Sequence, residues 1–210
     1  MTRLLVVRHG EAEGNREHRF IGQSDVPLTD LGRQQVARLT ERLAGVEISR
    51  VVSSDLQRAA NTVRPTADAL GLEVQFDLRL REIANGEWAD LVAADVEARW
   101  PDVWARYRSG EDVERPGGES WTDVQTRAVE AVEELVGTLA DDETVLVGTH
   151  AGPAMGILKW AIGAPPIGTA FGGPFGALHN TSISTISLPG PFLHTVNDTG
   201  HLGGTEGLFV

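Results

Sequence analysis

The chain has no cysteine, one lysine and no long apolar run. Without cysteine it forms no disulfide framework, thiolate nucleophile or zinc–sulfur site. Its 30 acidic and 18 basic residues give a net charge of −12, which argues against a nucleic-acid or anionic-membrane partner, because both need a cationic surface. No stretch approaches the roughly 18 apolar residues of a spanning helix, and residues 4–7 are too few for a signal-peptide core. We therefore expect a cytoplasmic protein.

The order of the predicted elements indicates an α/β fold. Apolar runs typical of buried strands occur at residues 4–7, 51–53, 74–76 and 144–148, and residues 182–188 and 192–196 alternate as a hairpin does. Helical spacing fills the intervals at about 30–44, 55–70, 90–109, 121–139 and 152–162. We expect Pro65 to bend or break its helix, Pro101 to interrupt another, and residues 163–176 to be loop. The prediction is one domain, 1–210, built as a three-layer sandwich with a mostly parallel central sheet flanked by helices.

Charged and imidazole side chains lie where the predicted strands end. Arg8 and His9 follow the first strand, Arg58 lies one turn into the helix after the second, and His150 follows the fourth. Glu82 follows the third strand after a short connection. Because ligands of an open parallel sheet bind beyond the carboxyl ends of its strands, we expect these five side chains to share one site. Each has an ordinary structural explanation when taken singly, but none of those explanations accounts for all five at one edge.

Together these residue types suit phosphoryl transfer. A planar guanidinium binds two phosphate oxygens at once and stays charged at any working pH. A neutral imidazole is a competent nucleophile towards phosphorus, and a second imidazole stabilises the charge spread over the equatorial oxygens. A carboxyl group protonates the leaving oxygen and later takes a proton from water. Since arginines and histidines supply the positive field, no metal is expected.

A series of motifs runs in one order through most of the chain. The motifs are Arg8-His9-Gly10-Glu11 with Asn15, Gly22-Gln23, Pro27-Leu28-Thr29-x-x-Gly32, Ser53-Ser54-Asp55 with Arg58, Arg81-Glu82, Gly117-Gly118-Glu119-Ser120 and Thr149-His150. In this combination the chain resembles the histidine phosphatase superfamily, in its phosphoglycerate-mutase-like branch and of the broad-specificity phosphatase type. The resemblance implies the phosphoglycerate-mutase-like sandwich, with a helical cap at about residues 83–119.

The resemblance also implies the roles of the site residues. His9 is then the phosphorylated nucleophile and Glu82 the proton donor. Three side chains bind the transferred phosphoryl group: Arg8, Arg58 and His150. Three residues of the loop after the nucleophile contact the substrate: Asn15, Gly22 and Gln23. The family pattern implies neither cofactor nor metal.

The chain departs from the usual family pattern at three positions. Ala12 stands where a Thr or Ser hydroxyl is usual, and Gly14 stands where an aromatic residue is common. Ala151 replaces the glycine that often follows the second histidine, and it would be strained if the backbone there had a positive φ. None of these departures removes a charged catalytic group.

Three functions stay open at this point. The favoured one is a metal-independent phosphomonoester phosphatase, in which water releases phosphate from phospho-His9 after transfer from a small phosphorylated metabolite. The alternatives are a phosphoglycerate mutase and a non-catalytic phosphate-binding module. Mutases of the family carry added cationic groups before the Gly-Gly-Glu-Ser turn, whereas residues 83–116 hold eight acidic and four basic side chains. This charge balance favours the phosphatase.

Other conspicuous residues are predicted to be structural. The tryptophans are expected to fill the helical cap, with Trp88 a candidate for the substrate mouth because it is close in sequence to Glu82. His18 and Arg19 are expected to be solvated loop residues. Three residues with metal-like spacing are expected to be hydrogen-bonded instead: His194, Asp198 and His201. The expected partner is a small phosphorylated substrate, and homodimerisation is compatible with this fold class.

Overall fold

A mixed sheet forms the centre of the molecule. The computed structural model describes residues 1–165 and 175–203, which contain six strands. The strands are β1 (Arg3–Arg8), β2 (Arg50–Ser53), β3 (Val74–Phe76), β4 (Thr144–Thr149), β5 (Ile183–Ser187) and β6 (Phe192–Asp198). In the order β3-β2-β4-β1-β5-β6, the first four are parallel and the last two form an antiparallel hairpin. The predicted α/β sandwich with a mostly parallel sheet is confirmed.

Helices connect the strands and begin and end at the signals in the sequence. In the described residues they are α1 (Asp30–Leu43), α2 (Gln57–Leu70), α3 (Ala93–Arg99), α4 (Pro101–Arg108), α5 (Trp121–Gly137) and α6 (Ala151–Ala161). The Thr29 side chain accepts from the Gly32 N–H to cap α1, and Ser120 and Asp123 form a capping box on α5. Gly71 ends α2 in the left-handed conformation at φ 67°, which glycine adopts without steric cost.

Alternate side chains of the central strands pack against opposite helical layers. On β1, Leu4 and Val6 join a core with α5 and α6, whereas Leu5 and Val7 join a core with α1 and α2. Both faces of the central strands are therefore buried, which explains their continuous apolar sequence. No helix of the described residues is long and apolar enough to cross a membrane.

Two sequence predictions need comment. Pro65 was predicted to bend or break its helix, and α2 runs through it without a break. Buried Val63 and Ala67 of the same helix pack into the core, and this packing outweighs the hydrogen bond that proline removes. For the predicted loop at 163–176, residues 163–165 are non-helical, and 166–174 lie outside the described residues.

Helices α3 and α4 enclose an aromatic cluster next to the sheet edge. Trp88 is fully buried, and its ring lies 5.4 Å from that of Phe20, 6.1 Å from that of Trp104 and 5.5 Å from that of Tyr107, between centroids. Pro101 separates the two helices, as predicted, because it occupies the first position of α4. The aromatic cluster fixes the helices beside the carboxyl ends of the strands.

Candidate active site

The pairing of β1 with β4 brings two histidines together. Arg8 is opposite Thr149 in the parallel register, so His9 and His150 leave the sheet side by side. The His9 N–H donates to the Thr149 carbonyl at 2.9 Å, and the two imidazole centroids lie 5.0 Å apart. Strand β2, on the other side of β4, leads to Arg58 in the first turn of α2.

His9 is held in one tautomer. Its Nδ1 lies 2.6 Å from the Gly10 carbonyl oxygen, which only accepts, so Nδ1 carries the proton and Nε2 keeps its lone pair. Burial, reinforced by Arg58 and Arg8, lowers the pKa of His9 well below its usual 6.5. At neutral pH the imidazole is therefore uncharged, which is the state that a nucleophile requires.

The second imidazole of the pair is that of His150, which does not line the cleft. It is fully buried, and its Nε2 is 2.9 Å from the Ser54 hydroxyl. Burial, reinforced by Arg58, His9 and Arg8, lowers its pKa well below 6.5. Its Nδ1 has no hydrogen-bond partner within the described part of the chain. At neutral pH a second uncharged imidazole therefore lies beside that of His9.

Two guanidinium groups border His9. Arg58 donates from Nη1 to the Ser24 carbonyl at 2.8 Å and from Nη2 to the Gly22 carbonyl, and Arg8 donates from Nη1 to the Leu178 carbonyl. The Nε–H of each arginine is buried and unpaired among the described residues. Burial lowers the pKa of Arg58 to about 10, so it stays cationic at neutral pH. Two fixed guanidinium cations beside His9 are suited to bind a phosphoryl anion.

Glu82 reaches the same place from an irregular segment. Its Oε1 accepts from its neighbour Ile83 N–H at 3.0 Å and from the Gly152 N–H at the start of α6 at 3.1 Å. Its negative charge acts on Arg8 and Arg58, because it opposes the lowering of both arginine pKa values. The carboxylate is therefore part of the same electrostatic site.

One cavity of about 250 Å³ gathers most of the predicted residues. Its lining includes six of them: Arg8, His9, Asn15, Gly22, Arg58 and Glu82. It also includes Asn85 and Trp121, to which the sequence analysis assigned no site role. Nothing in the sequence marks these two, because tertiary packing alone brings them to the cleft.

The residues of the loop after His9 act in different ways. Asn15 lines the cavity, and its Oδ1 accepts from the Ala12 N–H at 2.9 Å, which fixes the side chain. Gly22 presents its backbone at φ 54°, and a Cβ there would lie 2.7 Å from the Ile83 carbonyl oxygen. Gln23 is not part of the cavity lining; its Nε2 donates to the Glu82 carbonyl at 3.1 Å.

The three departures from the family pattern are accommodated. Ala151 is the first residue of α6 and has no positive φ, so the strain expected under that condition is absent there. Gly14 has φ 82°, a conformation that favours glycine over an aromatic residue. Ala12 is buried and bridges to Leu28, so its side chain contributes to the packing of the loop.

The other conspicuous aromatic and imidazole side chains lie partly inside and partly outside the cavity. Trp88 is buried in the aromatic cluster and does not line the cavity; Trp121 does, because it begins α5 beside Glu82. Arg19 lines the cavity as well. His194 and His201 bond to hydroxyls, at 2.9 Å to Ser187 and 3.3 Å to Thr181. Within residues 1–165 and 175–203 no group of three or more potential ligands is placed to hold a metal.

The fold and the site define an α/β enzyme of phosphoryl transfer. The family model described as the histidine phosphatase superfamily (branch 1) matches residues 4–198. The chain belongs to the histidine phosphatase superfamily.

The chain is similar to relatives named as phosphatases and as a mutase. Glucosyl-3-phosphoglycerate phosphatase of Mycolicibacterium vanbaalenii is 36% identical over 171 residues, covering 79% of this chain and 76% of that protein. The probable phosphoglycerate mutase GpmB of Salmonella choleraesuis is 33% identical over 216 residues, covering 96% and 95%. A solved mycobacterial glucosyl-3-phosphoglycerate phosphatase superposes with a TM-score of 0.80 at 30% identity, covering 94% and 99%. These likenesses support a phosphomonoester phosphatase, a hydrolase, over the mutase alternative.

Proposed function

We propose that the cleft hydrolyses phosphomonoesters through a phosphohistidine at His9. The observation that carries the proposal is the neutral His9 with its free Nε2, bordered by two guanidinium groups and sharing a cavity with a carboxyl group. In the first step Nε2 attacks phosphorus and the bond to the ester oxygen breaks. The proton of the Glu82 carboxyl passes to that oxygen, so an alcohol leaves.

The second step regenerates the enzyme. Water attacks the phosphorus of phospho-His9 and gives a proton to the Glu82 carboxylate. The phosphorus–nitrogen bond breaks, its electron pair returns to Nε2, and inorganic phosphate leaves. Arg8 and Arg58 neutralise the charge of the phosphoryl oxygens throughout, and His150, whose ring lies 5.0 Å from that of His9, donates a hydrogen bond to one of these oxygens.

The remaining predicted site residues have supporting roles in this proposal. Asn15 and the Gly22 backbone border the phosphoryl group, which agrees with their place in the cavity lining. Gln23 acts through Glu82, whose carbonyl accepts its amide hydrogen bond. The segment 83–119 caps the leaving-group side of the cleft.

The substrate class follows from the size and charge of the cleft. A cavity of about 250 Å³ admits a small phosphorylated metabolite. The acidic balance of residues 83–116 disfavours polyanions such as bisphosphates. The relatives named as glucosyl-3-phosphoglycerate phosphatases support a phosphorylated sugar or glycerate derivative as the substrate.

We also propose that the protein is cytoplasmic and forms a homodimer. Light scattering measures the oligomeric state.

Release of inorganic phosphate tests the proposal. Wild-type protein, His9→Ala and the control His194→Ala are assayed with p-nitrophenyl phosphate and a panel of monoesters, with and without a chelator. We expect chelator-resistant release that is lost in His9→Ala and kept in His194→Ala, since His194 bonds to Ser187 on the hairpin. Efficient interconversion of 2- and 3-phosphoglycerate that needs a bisphosphate primer would instead identify a mutase. Binding of phosphate without turnover of any monoester would identify a binding module.

A further inference from the structure

The general acid sits on a segment with no regular structure of its own. Residues 81–85, which include Glu82, lie between two short 3₁₀ turns, at Leu78–Leu80 and Gly86–Trp88. A loop without outside support samples many conformations, whereas proton transfer needs a carboxyl within hydrogen-bond distance of the leaving oxygen. The contacts that hold this segment therefore bear on catalysis.

The side chain of Arg127, on α5, donates hydrogen bonds to backbone carbonyls of this segment and of the turn before it. Its Nη1 donates to the carbonyls of Arg79 and Arg81, at 2.6 Å each. Its Nη2 donates to the carbonyl of Glu82 at 3.0 Å. One guanidinium thus satisfies three carbonyl groups around the catalytic carboxylate. The compact ammonium of a lysine cannot span these positions with the same fork of donors.

Glu119 binds both Arg127 and the segment, and we call Arg127 and Glu119 together the clamp. Both of its oxygens pair with Arg127, with Oε1 2.8 Å from Nε and Oε2 2.9 Å from Nη2. Oε2 also accepts from the Ala84 N–H at 2.7 Å, and the Glu119 N–H donates to the Ala84 carbonyl at 2.8 Å. The clamp therefore makes hydrogen bonds to the backbone on both sides of Glu82, at Arg81 and at Ala84.

The turn before Glu119 lies backbone to backbone against this segment. A Cβ on Gly86 would lie 2.1 Å from the Pro116 carbonyl oxygen, and a Cβ on Gly118 would lie 2.3 Å from the Ala84 carbonyl oxygen. Such close approach is open only to glycine. The Gly117-Gly118-Glu119-Ser120 motif is thus explained as the fixed partner of the Glu82 segment.

We propose that Arg127 and Glu119 are positioning residues that hold Glu82 in place for proton transfer to the leaving oxygen. Neither side chain belongs to the cavity lining, so they act through the segment and not on the substrate. The proposal rests on the proposed function, in which Glu82 is the acid. It predicts that loosening the clamp impairs protonation of the leaving group more than attack by His9.

Two substrates of similar shape separate these effects. p-Nitrophenolate is a stable anion that leaves without a proton, whereas phenolate is a poorer leaving group that benefits from general-acid help. kcat/KM reports the transfer of the phosphoryl group to His9 and is measured for both esters. The ratio of the two values does not depend on the fraction of folded enzyme, so it is not changed by a merely structural loss.

The variants are Arg127→Lys and Glu119→Gln, with Arg79→Gln as the matched control. Arg79 lies in the 3₁₀ turn just before the segment, and its side chain pairs with Asp77 and Glu134. For both clamp variants we expect the p-nitrophenyl to phenyl ratio to rise roughly tenfold or more, as part of the 10² to 10⁴ that general acid–base catalysis supplies. The control keeps the wild-type ratio.

The outcomes distinguish the inference from the function beneath it. If both substrates lose activity equally in the clamp variants, the positioning role is wrong while the phosphatase stands. If the His9→Ala variant releases phosphate as the wild type does, the proposed function itself is wrong. Should Arg127→Lys not fold, Glu119→Gln keeps the size of the side chain and carries the test, and an unchanged ratio there overturns the proposal.

Discussion

The carboxylate of Glu82 accepts the N–H of Gly152 at 3.1 Å, at the first turn of the helix that begins after His150. This turn therefore connects His150, which precedes the helix, with the side chain of Glu82. The Gly152 N–H therefore holds one carboxylate oxygen of Glu82 in a fixed position. The orientation of Glu82 depends on α6 as much as on its own segment.

Gly152→Ala is expected to displace the carboxylate of Glu82. A Cβ at this position would lie 2.5 Å from Glu82 Oε1 and 3.0 Å from the Trp121 ring, so the carboxylate has to move. We expect kcat/KM for phenyl phosphate to fall roughly tenfold to hundredfold, with a smaller loss for p-nitrophenyl phosphate. The control is Gly137→Ala at the end of α5, where nothing lies within 4 Å of the added Cβ. Equal losses with both esters would contradict this account.

The free energy of unfolding should decrease as the pH is lowered below about 6.5. His9 and His150 have folded-state pKa values well below 6.5, chiefly because both are buried. Below pH 6.5 the unfolded chain binds protons at these sites that the folded chain does not, so the free energy of unfolding rises with pH. Each histidine contributes at most about 1.4 kcal/mol per pH unit in that range.

Urea unfolding of wild type and His150→Asn at several pH values checks this linkage. The slope of unfolding free energy against pH should be shallower in the variant between pH about 5 and 6.5, and the two slopes should coincide above pH about 7.5. Parallel curves throughout the range would show that His150 is accessible to protons in the folded state.

The sequence predicted those parts of the site that follow directly from strand ends. Arg8, His9 and His150 were placed together because parallel neighbours end at one edge, and β1 and β4 are such neighbours. Glu82 and Arg58 were placed with them through short connections after β3 and β2, and both line the cavity. Local pattern and topology sufficed for these five residues.

The supporting residues were beyond the reach of sequence reasoning. Trp121 lies on the apolar face of α5, whose spacing predicted core packing, and Arg127 lies outside that face. Nothing in the spacing shows which loop either side chain contacts. Trp88, proposed for the mouth by its nearness in sequence, is drawn into the aromatic cluster because burying a large ring is more favourable than exposing it. Contacts between distant segments decide these positions.

The aromatic cluster is expected to dominate the stability of the cap. Trp88 is fully buried among Phe20, Trp104 and Tyr107, so Trp88→Ala leaves a large cavity. We expect the free energy of unfolding to fall by about 3–5 kcal/mol. Phe192→Ala is the control, since that ring is 62% exposed and its loss should change stability by less than about 0.5 kcal/mol. Denaturant titration of both variants measures these changes. A small loss of unfolding free energy in Trp88→Ala would mean that the aromatic cluster repacks.

Arg58→Lys tests whether the site needs a guanidinium or only a positive charge. Arg58 holds the carbonyls of Gly22 and Ser24 while it faces the cavity, and an ammonium group cannot make both bonds and still reach the phosphoryl oxygens. Losing one or more charge-assisted hydrogen bonds should lower kcat/KM roughly tenfold to hundredfold.

The matched control is Arg64→Lys, an exposed arginine that lies on α2 as Arg58 does, and this variant should keep wild-type activity. Inorganic phosphate should raise the Tm of the wild type and of Arg64→Lys, because a ligand that binds only the folded state stabilises it. The rise should be much smaller in Arg58→Lys. If Arg58→Lys keeps both the phosphate-induced rise and kcat/KM within about twofold of wild type, charge alone is sufficient and the fixed geometry of the guanidinium is not what captures the phosphoryl group.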